Sequence, residues 1–283
     1  MSAARELDVS EITAAVEKMV AKGVYVLGER ELEALRRARQ SEVSPLGCAA
    51  LDDICRNAEI AAEGVFPICQ DTGLAVFFVF LGRDVRLVGG SLQEAVDEGV
   101  RRAQKGAYIR ASVVSCPFKR VNTADNTPAV VHTTVVDGDR LRIFYDAKGG
   151  GSENMSRLAM LKPADGINGL VEFAVTAVKE ASANPCPPVV VGLAAGGNFE
   201  KVALMAKWAL LRPLGDPNHD ADLAAIERRV LQGINDTGVG PSGLGGRVTA
   251  LAVHLETAPC HIASLPVAIN IDCHAHRHQE TEL

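Results

Sequence analysis

Three widely separated cysteines constrain the possible folds of this chain more than any other feature. Their surroundings are unusual: Cys69 lies in the run PICQDTG, Cys186 in NPCPP and Cys273 in IDCHAHRH. The gaps between them exclude a zinc-finger arrangement, in which ligands cluster within a few residues of one another. If the three thiols serve one centre, the fold must bring three distant loops together.

The composition is typical of a globular α/β protein. The chain has 283 residues, of which 47% are hydrophobic and only 4% aromatic, enough apolar material for one large domain or two modest ones. A net charge of -6 argues against a broad phosphate-binding surface, so we expect no nucleic-acid partner. Neither a secretory leader pattern nor an apolar run of about 18 residues is present, which predicts a cytoplasmic protein without membrane contact.

Hydrophobic periodicity predicts both helices and strands. Helices are expected at 10–22, with Ser10 as the cap and Gly23 as the stop, and at 29–40, 45–63, 91–106, 167–183, 199–211 and 220–234. Strands are expected at 74–81, 189–193, 248–255 and 264–271, and a β-hairpin at 129–136 and 140–147. The glycine-rich stretch 148–156 predicts irregular structure that suits close approach to a ligand. We expect one large mixed α/β domain with two lobes.

The seven cysteines are expected to stay reduced, so metal or catalytic roles outweigh disulfides. Core packing is the expected role of Cys48 and Cys55, whereas the roles of Cys116 and Cys260 stay open, with core packing favoured. The other three could hold three irons of a [4Fe-4S] cluster, because full ligation usually takes four cysteines, and the fourth iron would be open to substrate. From spacing alone, three ordinary buried cysteines explain the pattern equally well.

Several motifs together resemble one known family. CQDTG at Cys69, KGGGSEN from Lys148, NPCPP at Cys186 and HIAS from His261 look like the α-type domain of class I fumarases, which tartrate dehydratases share. The resemblance covers essentially the whole chain, residues 1–283. It implies an iron-sulfur hydro-lyase that hydrates fumarate to L-malate in the tricarboxylic acid cycle. Because SENMS after the glycines resembles fumarases more, fumarate is expected first, with L-tartrate as the alternative and mesaconate also to be assayed.

The resemblance also implies roles for individual residues. A [4Fe-4S] cluster with one iron not ligated by protein, and therefore sensitive to oxygen, would be held by Cys69, Cys186 and Cys273. The substrate carboxylate away from the cluster would be bound by Gln70, Arg110 and Gly151. Asp71 and His261 would lie near the departing hydroxyl and donate or relay a proton. An aspartate before Thr-Gly also commonly caps a turn, and a single histidine is often structural.

The resemblance further implies a partner chain. One-chain members of the family carry an additional β-type domain with the proton-abstracting base and further cations, whereas this sequence ends at Leu283 soon after the third cysteine. We therefore expect an α subunit that works on a dicarboxylate only with a separate β subunit, in an assembly such as α2β2.

Two other interpretations stay open. A non-catalytic iron-sulfur sensor could use the same three thiolates, although it would need neither Gln70 and Asp71 nor Arg110. A zinc site could use Cys273 with the histidines that follow it, which are His274, His276 and His278. A solvated basic C-terminal segment is the simpler explanation of those histidines.

Overall fold

Helices and strands alternate along much of the chain, as the hydrophobic periodicity predicts. The computed structural model describes residues 4–283. Its helices are Val9–Tyr25 (α1), Glu29–Ser41 (α2), Pro45–Ala62 (α3), Leu92–Gly106 (α4), Gly150–Glu153 (α5), Gly166–Ala181 (α6), Phe199–Ala209 (α7) and Ala221–Asn235 (α8). Its strands are Arg5–Asp8 (β1), Leu74–Gly82 (β2), Val85–Val88 (β3), Val130–Val136 (β4), Leu141–Lys148 (β5), Arg157–Leu161 (β6), Val189–Gly197 (β7), Ala250–Cys260 (β8), Leu265–Asp272 (β9) and His278–Glu282 (β10). The mixed α/β class is confirmed.

The described residues form two compact units, each with its own sheet and buried core. The first unit consists of residues 4–28, Ala58–Gly150 and Arg277–Leu283, and the second of Glu29–Asn57 and Gly151–His276. Each unit therefore combines segments that are distant in sequence. Within residues 4–283, no helix is both long enough and apolar enough to cross a membrane.

A four-stranded sheet of order β10-β5-β2-β4 forms the centre of the first unit. Helices α1 and α4 pack on one face of this sheet, where Val16, Val96 and Phe77 are buried in a common core. The rings of Phe77 and Tyr145 stack there with their centroids 5.1 Å apart. This burial raises the pKa of Tyr145 above its ordinary value.

The ends of α1 differ from the prediction. Asp8, not Ser10, caps the helix: its Oδ1 accepts a hydrogen bond from the Ser10 N–H at 2.8 Å. Gly23 lies inside the helix, where a Cβ atom would come within 3.0 Å of the Tyr145 ring. The glycine thus permits close packing on the sheet, and the helix continues past it to Tyr25. Ser91 caps α4 as predicted.

Strands β4 and β5 do not form the predicted hairpin. β2 lies between them and pairs in parallel with β4 and antiparallel with β5. The turn at Gly138 does reverse the chain, but it passes over the end of β2, where the Asp84 N–H donates to the Gly138 carbonyl at 3.0 Å. The central position satisfies both backbone edges of the most apolar strand, which a hairpin of β4 and β5 would leave at a sheet edge.

The second unit is built on a sheet of order β6-β9-β7-β8. β7 pairs in parallel with β8 and antiparallel with β9. Helices α6 and α8 cover one face, and α7 packs so closely on the other that a Cβ atom at Gly192 would lie 2.0 Å from the Ala206 carbonyl oxygen. With both faces covered, β7 can be apolar along nearly its whole length.

Candidate metal and substrate site

The Cys69 loop leads from α3 into β2 and is held by the side chain of Asp71. Oδ1 of Asp71 accepts from the Gly73 N–H at 2.9 Å and from the Ser112 hydroxyl at 3.3 Å, and Oδ2 accepts from the Gly150 N–H at 2.7 Å. The Asp71 N–H in turn donates to the Cys69 sulfur at 3.4 Å. The turn-capping contact expected of an aspartate before Thr-Gly is therefore present, and the carboxylate also joins this loop to the glycine-rich segment.

Gly73 allows the same loop to lie directly on the end of β5. Its φ is +79°, and a Cβ atom there would come within 2.4 Å of the Lys148 carbonyl oxygen. Any other residue would meet both backbone strain and a collision with the β5 backbone. The backbone contact therefore fixes where the Cys69 loop sits on the sheet.

Arg277 is a second support of the Cys69 loop. Its guanidinium donates from Nη1 to the Asp71 carbonyl at 3.0 Å and from Nη2 to the Ala147 carbonyl at 3.1 Å, and the residue is only 3% exposed. His276 is equally buried, and its Nδ1 lies 2.9 Å from the Asp272 carboxylate. The prediction of a solvated basic end is therefore wrong, because this segment leads into β10, which pairs with β5.

Arg110 lies in the long connection between α4 and β4, beside the Cys69 loop. Buried Asn126 accepts from the Ser112 N–H at 2.6 Å and donates to the Arg110 carbonyl at 3.0 Å, while Ser112 also contacts Asp71. The Arg110 side chain is exposed and forms no ion pair among the described residues 4–283. Its backbone is thus fixed while its guanidinium can accept a ligand. Gln70 is exposed in the same unit.

Cys186 and Cys273 lie at the same end of two neighbouring strands in the sheet of the second unit. We call this end of the strands the Cys186 edge. The Cys186 loop leads into the start of β7, and Cys273 directly follows the end of β9. Because β7 and β9 are antiparallel, with Val190 opposite Asp272, these two ends are neighbours. His274 joins them, since its backbone N–H and its Nδ1 lie 3.4 and 3.0 Å from the Cys186 carbonyl oxygen.

The backbone of Cys186 presents its side chain outward. The residue has a φ of +55°, which non-glycine residues rarely adopt, and it is exposed although Pro185 and Pro187 on either side are buried. Buried prolines fix the flanking backbone, so this uncommon conformation is imposed by the surrounding structure. Gly151, also in the second unit, is exposed at the start of α5.

His261 lies at the opposite end of the strands of the same sheet. It follows Cys260, which pairs with Gly197 at the far end of β7. Nine residues of β7 separate the two edges. A strand rises about 3.3 Å per residue, so His261 is about 25 Å from the edge that carries Cys186 and Cys273. The structure does not bring His261 together with these two cysteines.

The hydrogen bonding of His261 fixes its tautomer. Its Nδ1 accepts from the Ala263 N–H at 3.1 Å, so the neutral imidazole carries its proton on Nε2. The residue is exposed in the turn between β8 and β9. It therefore presents a proton donor at the surface.

The remaining cysteines are less buried than expected. Cys260 is exposed, so the prediction of core packing is wrong for it, and Cys48, Cys55 and Cys116 are only partly buried. Cys116 lies in a turn of the α4–β4 connection, where the backbone N–H groups of Lys119 and Phe118 lower the pKa of its thiol.

Two cavities in the second unit are poor candidates for a dicarboxylate. The cavity between β6 and α6 has a volume of about 570 Å³ and is lined by the carboxylates of Asp165 and Glu172 and by one cation, Arg157, which already pairs with Glu180. The other, of about 410 Å³, borders Ser242 and His274, but its walls are largely apolar and include Asp53. A dianion would meet more carboxylates than cations in either cavity.

Comparison with known proteins identifies the family. The sequence model described as fumarate hydratase (Fumerase) matches residues 13–282. The chain belongs to the fumarate hydratase family. The chain is similar to a protein of Methanocaldococcus jannaschii, provisionally named L(+)-tartrate dehydratase subunit alpha, with 38% identity over 94% of this chain and 95% of that protein. The L(+)-tartrate dehydratase subunit alpha of Escherichia coli strain K12 is 32% identical over 95% of this chain and 89% of its own length.

This family consists of hydro-lyases and is known for iron-sulfur clusters. Both relatives are named as tartrate dehydratase subunits, whereas the matching family model is described as fumarate hydratase. The donor set of the chain fits such a cluster, because thiolates are the ligands that iron-sulfur centres use. Two of the three thiols emerge from one sheet edge, and the Cys69 sulfur accepts a backbone N–H of the kind that tunes cluster potentials.

Proposed function

We propose that this chain is the cluster-bearing α subunit of an L(+)-tartrate dehydratase, which removes water from tartrate. The observation that carries the proposal is the similarity of nearly the whole chain, at 38% and 32% identity, to proteins with that name. Loss of water from tartrate leaves an enol, which becomes a keto dicarboxylate. We also propose a β subunit as partner, in an assembly such as α2β2, and a cytoplasmic location.

Cys69, Cys186 and Cys273 would hold a [4Fe-4S] cluster. When bound, the cluster supplies a Lewis-acidic iron without a protein ligand, open to a hydroxyl and a carboxylate of the substrate and to attack by oxygen. The neighbouring positions of Cys186 and Cys273 support this assignment, as does the rigid backbone around Cys186.

Arg110 would bind the substrate carboxylate away from the cluster, with Gln70 and Gly151. A guanidinium can take a carboxylate in two parallel hydrogen bonds. The fixed backbone and exposed side chain of Arg110 support this role, because little ordering is needed when the ligand binds.

Asp71 would accept a hydrogen bond from the departing hydroxyl group of the substrate and orient that group. A carboxylate has about four acceptor sites, and three of those of Asp71 are used by Gly73, Ser112 and Gly150. One site is therefore left for the substrate. In this role Asp71 would relay the proton near the departing hydroxyl. Its carboxylate is fixed by the same hydrogen bonds that hold the Cys69 loop.

His261 would donate its Nε2 proton to the site of a second copy of this chain. Its position about 25 Å from the Cys186 edge excludes action on a cluster at that edge of the same chain. Its exposure and its Nε2–H tautomer favour donation to an external group. An assembly with at least two α subunits would provide such a site.

The test is co-expression with the β subunit, anaerobic purification, and assays with L(+)-tartrate, L-malate, fumarate and mesaconate. A pocket that hydrogen-bonds the second hydroxyl should prefer tartrate to malate in kcat/KM by at least about 100-fold. Faster conversion of malate or fumarate would support a fumarate hydratase instead, the function that the matching family description names. Iron and acid-labile sulfide in near-equal amounts are expected, and zinc in their place would overturn the cofactor assignment.

A further inference from the structure

Glu42 is a buried carboxylate, 6% exposed, at the turn between α2 and α3. Its Oε1 accepts from the N–H groups of Val43 and Ser44 at 2.8 and 2.9 Å, and its Oε2 from those of Arg247 and Val248 at 2.8 and 3.0 Å. Burial alone would raise the pKa of Glu42, but these backbone donors outweigh it, and the pKa lies below its ordinary value. The carboxylate thus ties two segments that are distant in sequence.

One of these segments is the glycine loop, residues 238–248, which connects α8 to β8. At Gly246 φ is +144°, and a Cβ atom would lie 2.6 Å from Glu42 Oε2. The loop can therefore approach the carboxylate only with glycine at this position. Glu42 holds the end of the glycine loop that enters β8.

The middle of the glycine loop rests on the Cys186 loop. The Ser242 N–H donates to the Pro187 carbonyl at 2.8 Å, and a Cβ atom at Gly243 would come within 2.4 Å of the Ala183 Cβ. Ser242 has a φ of +53°, close to the +55° of Cys186. The hydrogen bond thus joins Ser242 to the residue that directly follows Cys186, which indicates that each loop restrains the other.

We propose that Glu42 is a positioning residue for the Cys186 thiol, acting through the glycine loop. The path runs from the Glu42 carboxylate to the backbone of Arg247 and Val248, along the loop to Ser242, and from there to Pro187. Its relevance to the metal centre rests on the proposed function, because there Cys186 is a cluster ligand. The mechanical link itself does not depend on the metal.

Hydrogen exchange of the metal-free chain in its complex with the β subunit tests the link. In Glu42→Gln, an amide nitrogen faces two backbone N–H groups, so two of the four bonds are lost. Exchange should rise about tenfold in the glycine loop and also in the segment 182–190 around Cys186. Unchanged exchange in 182–190 would overturn the proposal, even if the glycine loop itself were loosened.

Glu227→Gln is the matched control. Glu227 is also 6% exposed and accepts a backbone N–H, that of Leu255, but it contacts β8 rather than the glycine loop. It should lower the stability of the second unit without raising exchange around Cys186. An equal rise in 182–190 for both variants would reduce the role of Glu42 to general stability and overturn the proposal.

Two further measurements cover other outcomes. If Glu42→Gln does not fold, the unmodified protein should still show the amides of Ser242, Val248 and Cys186 exchanging through one shared opening, and rates of opening that differ more than about tenfold would contradict the link. In the reconstituted complex, Glu42→Gln should lose iron faster than Glu227→Gln. If no preparation binds iron, the proposed function fails while the exchange result still decides the link.

Discussion

The imidazole Nδ1 of His274 lies 3.0 Å from the backbone carbonyl oxygen of Cys186, so the residue after one proposed cluster ligand is bonded to another proposed ligand. This contact ties the end of β9 to the loop that precedes β7. It therefore makes the relative position of Cys186 and Cys273 a property of the folded second unit before any metal binds.

Replacing His274 by alanine should loosen this edge of the sheet. Loss of one hydrogen bond to a carbonyl should cost about 1 kcal/mol of unfolding free energy, measured by urea denaturation. Iron retained after anaerobic desalting should also fall. His219→Ala, at an exposed position in the same unit, is the control and should change neither quantity. Equal iron retention in both variants would contradict the role of His274.

Asp71→Asn should impair both the Cys69 loop and turnover. An asparagine can keep the acceptor that bonds the Gly73 N–H, but its amide nitrogen would face the Gly150 N–H. We expect a loss of about 1–3 kcal/mol in stability and of at least about 100-fold in kcat. Asp84→Asn, an exposed position in the same unit, should be silent in both measurements. A variant with full activity would remove Asp71 from the site.

Arg110→Lys should weaken substrate binding while stability stays the same. The side chain is exposed, so the fold does not depend on it, but a lysine cannot take a carboxylate in two parallel bonds. The KM for tartrate should rise about tenfold or more, with Arg120→Lys in the same connection as the control. An unchanged KM would show that the carboxylate is bound elsewhere.

His261 can be tested by mixing two inactive chains. A His261→Asn chain keeps its own three cysteines, and a Cys69→Ala chain keeps its own His261. If His261 serves a second copy, random dimers of the two α chains should recover about a quarter of wild-type activity, because half are mixed and each mixed dimer has one complete site. Full activity of His261→Asn alone, or no recovery on mixing, would reject action in another copy.

The pH dependence of stability should report Glu42. Its folded-state pKa is lowered, so its contribution is present above the unfolded value, about 4.3, and is lost as pH falls through the folded pKa. The difference in unfolding free energy between the wild type and Glu42→Gln should therefore shrink from pH 7 to pH 3. A difference that is constant over this range would contradict the role assigned to the charge.

The sequence predicts those parts of the fold whose signal is local. The strand at 74–81 and the helices at 29–40 and 45–63 are found within one or two residues of their predicted bounds, because the hydrophobic pattern that predicts each is contained within the segment. The hairpin fails because the insertion of β2 between β4 and β5 is a long-range choice. The sequences of β4 and β5 do not indicate which strand each of them will pair with.

The site was only partly predictable for the same reason. Cysteines in unusual runs are visible in the sequence. The side chains of Arg277, Asn126 and Glu42, in contrast, form hydrogen bonds with backbone groups, which carry no sequence signal. Their partners become apparent only once the chain is folded. The distance of His261 from the Cys186 edge likewise follows from the strand register, to which the motif around it contributes no signal.

The contact of Arg277 with the Asp71 carbonyl has a practical consequence for handling this protein. Arg277 immediately precedes β10, whose pairing with β5 continues to Leu283, hydrogen-bonded to Leu141. Loosening of that strand, for example in mild denaturant, would disturb a segment that directly supports the Cys69 loop. Conditions of preparation that loosen β10 should therefore lower the content of the proposed cluster even while the rest of the sheet stays folded.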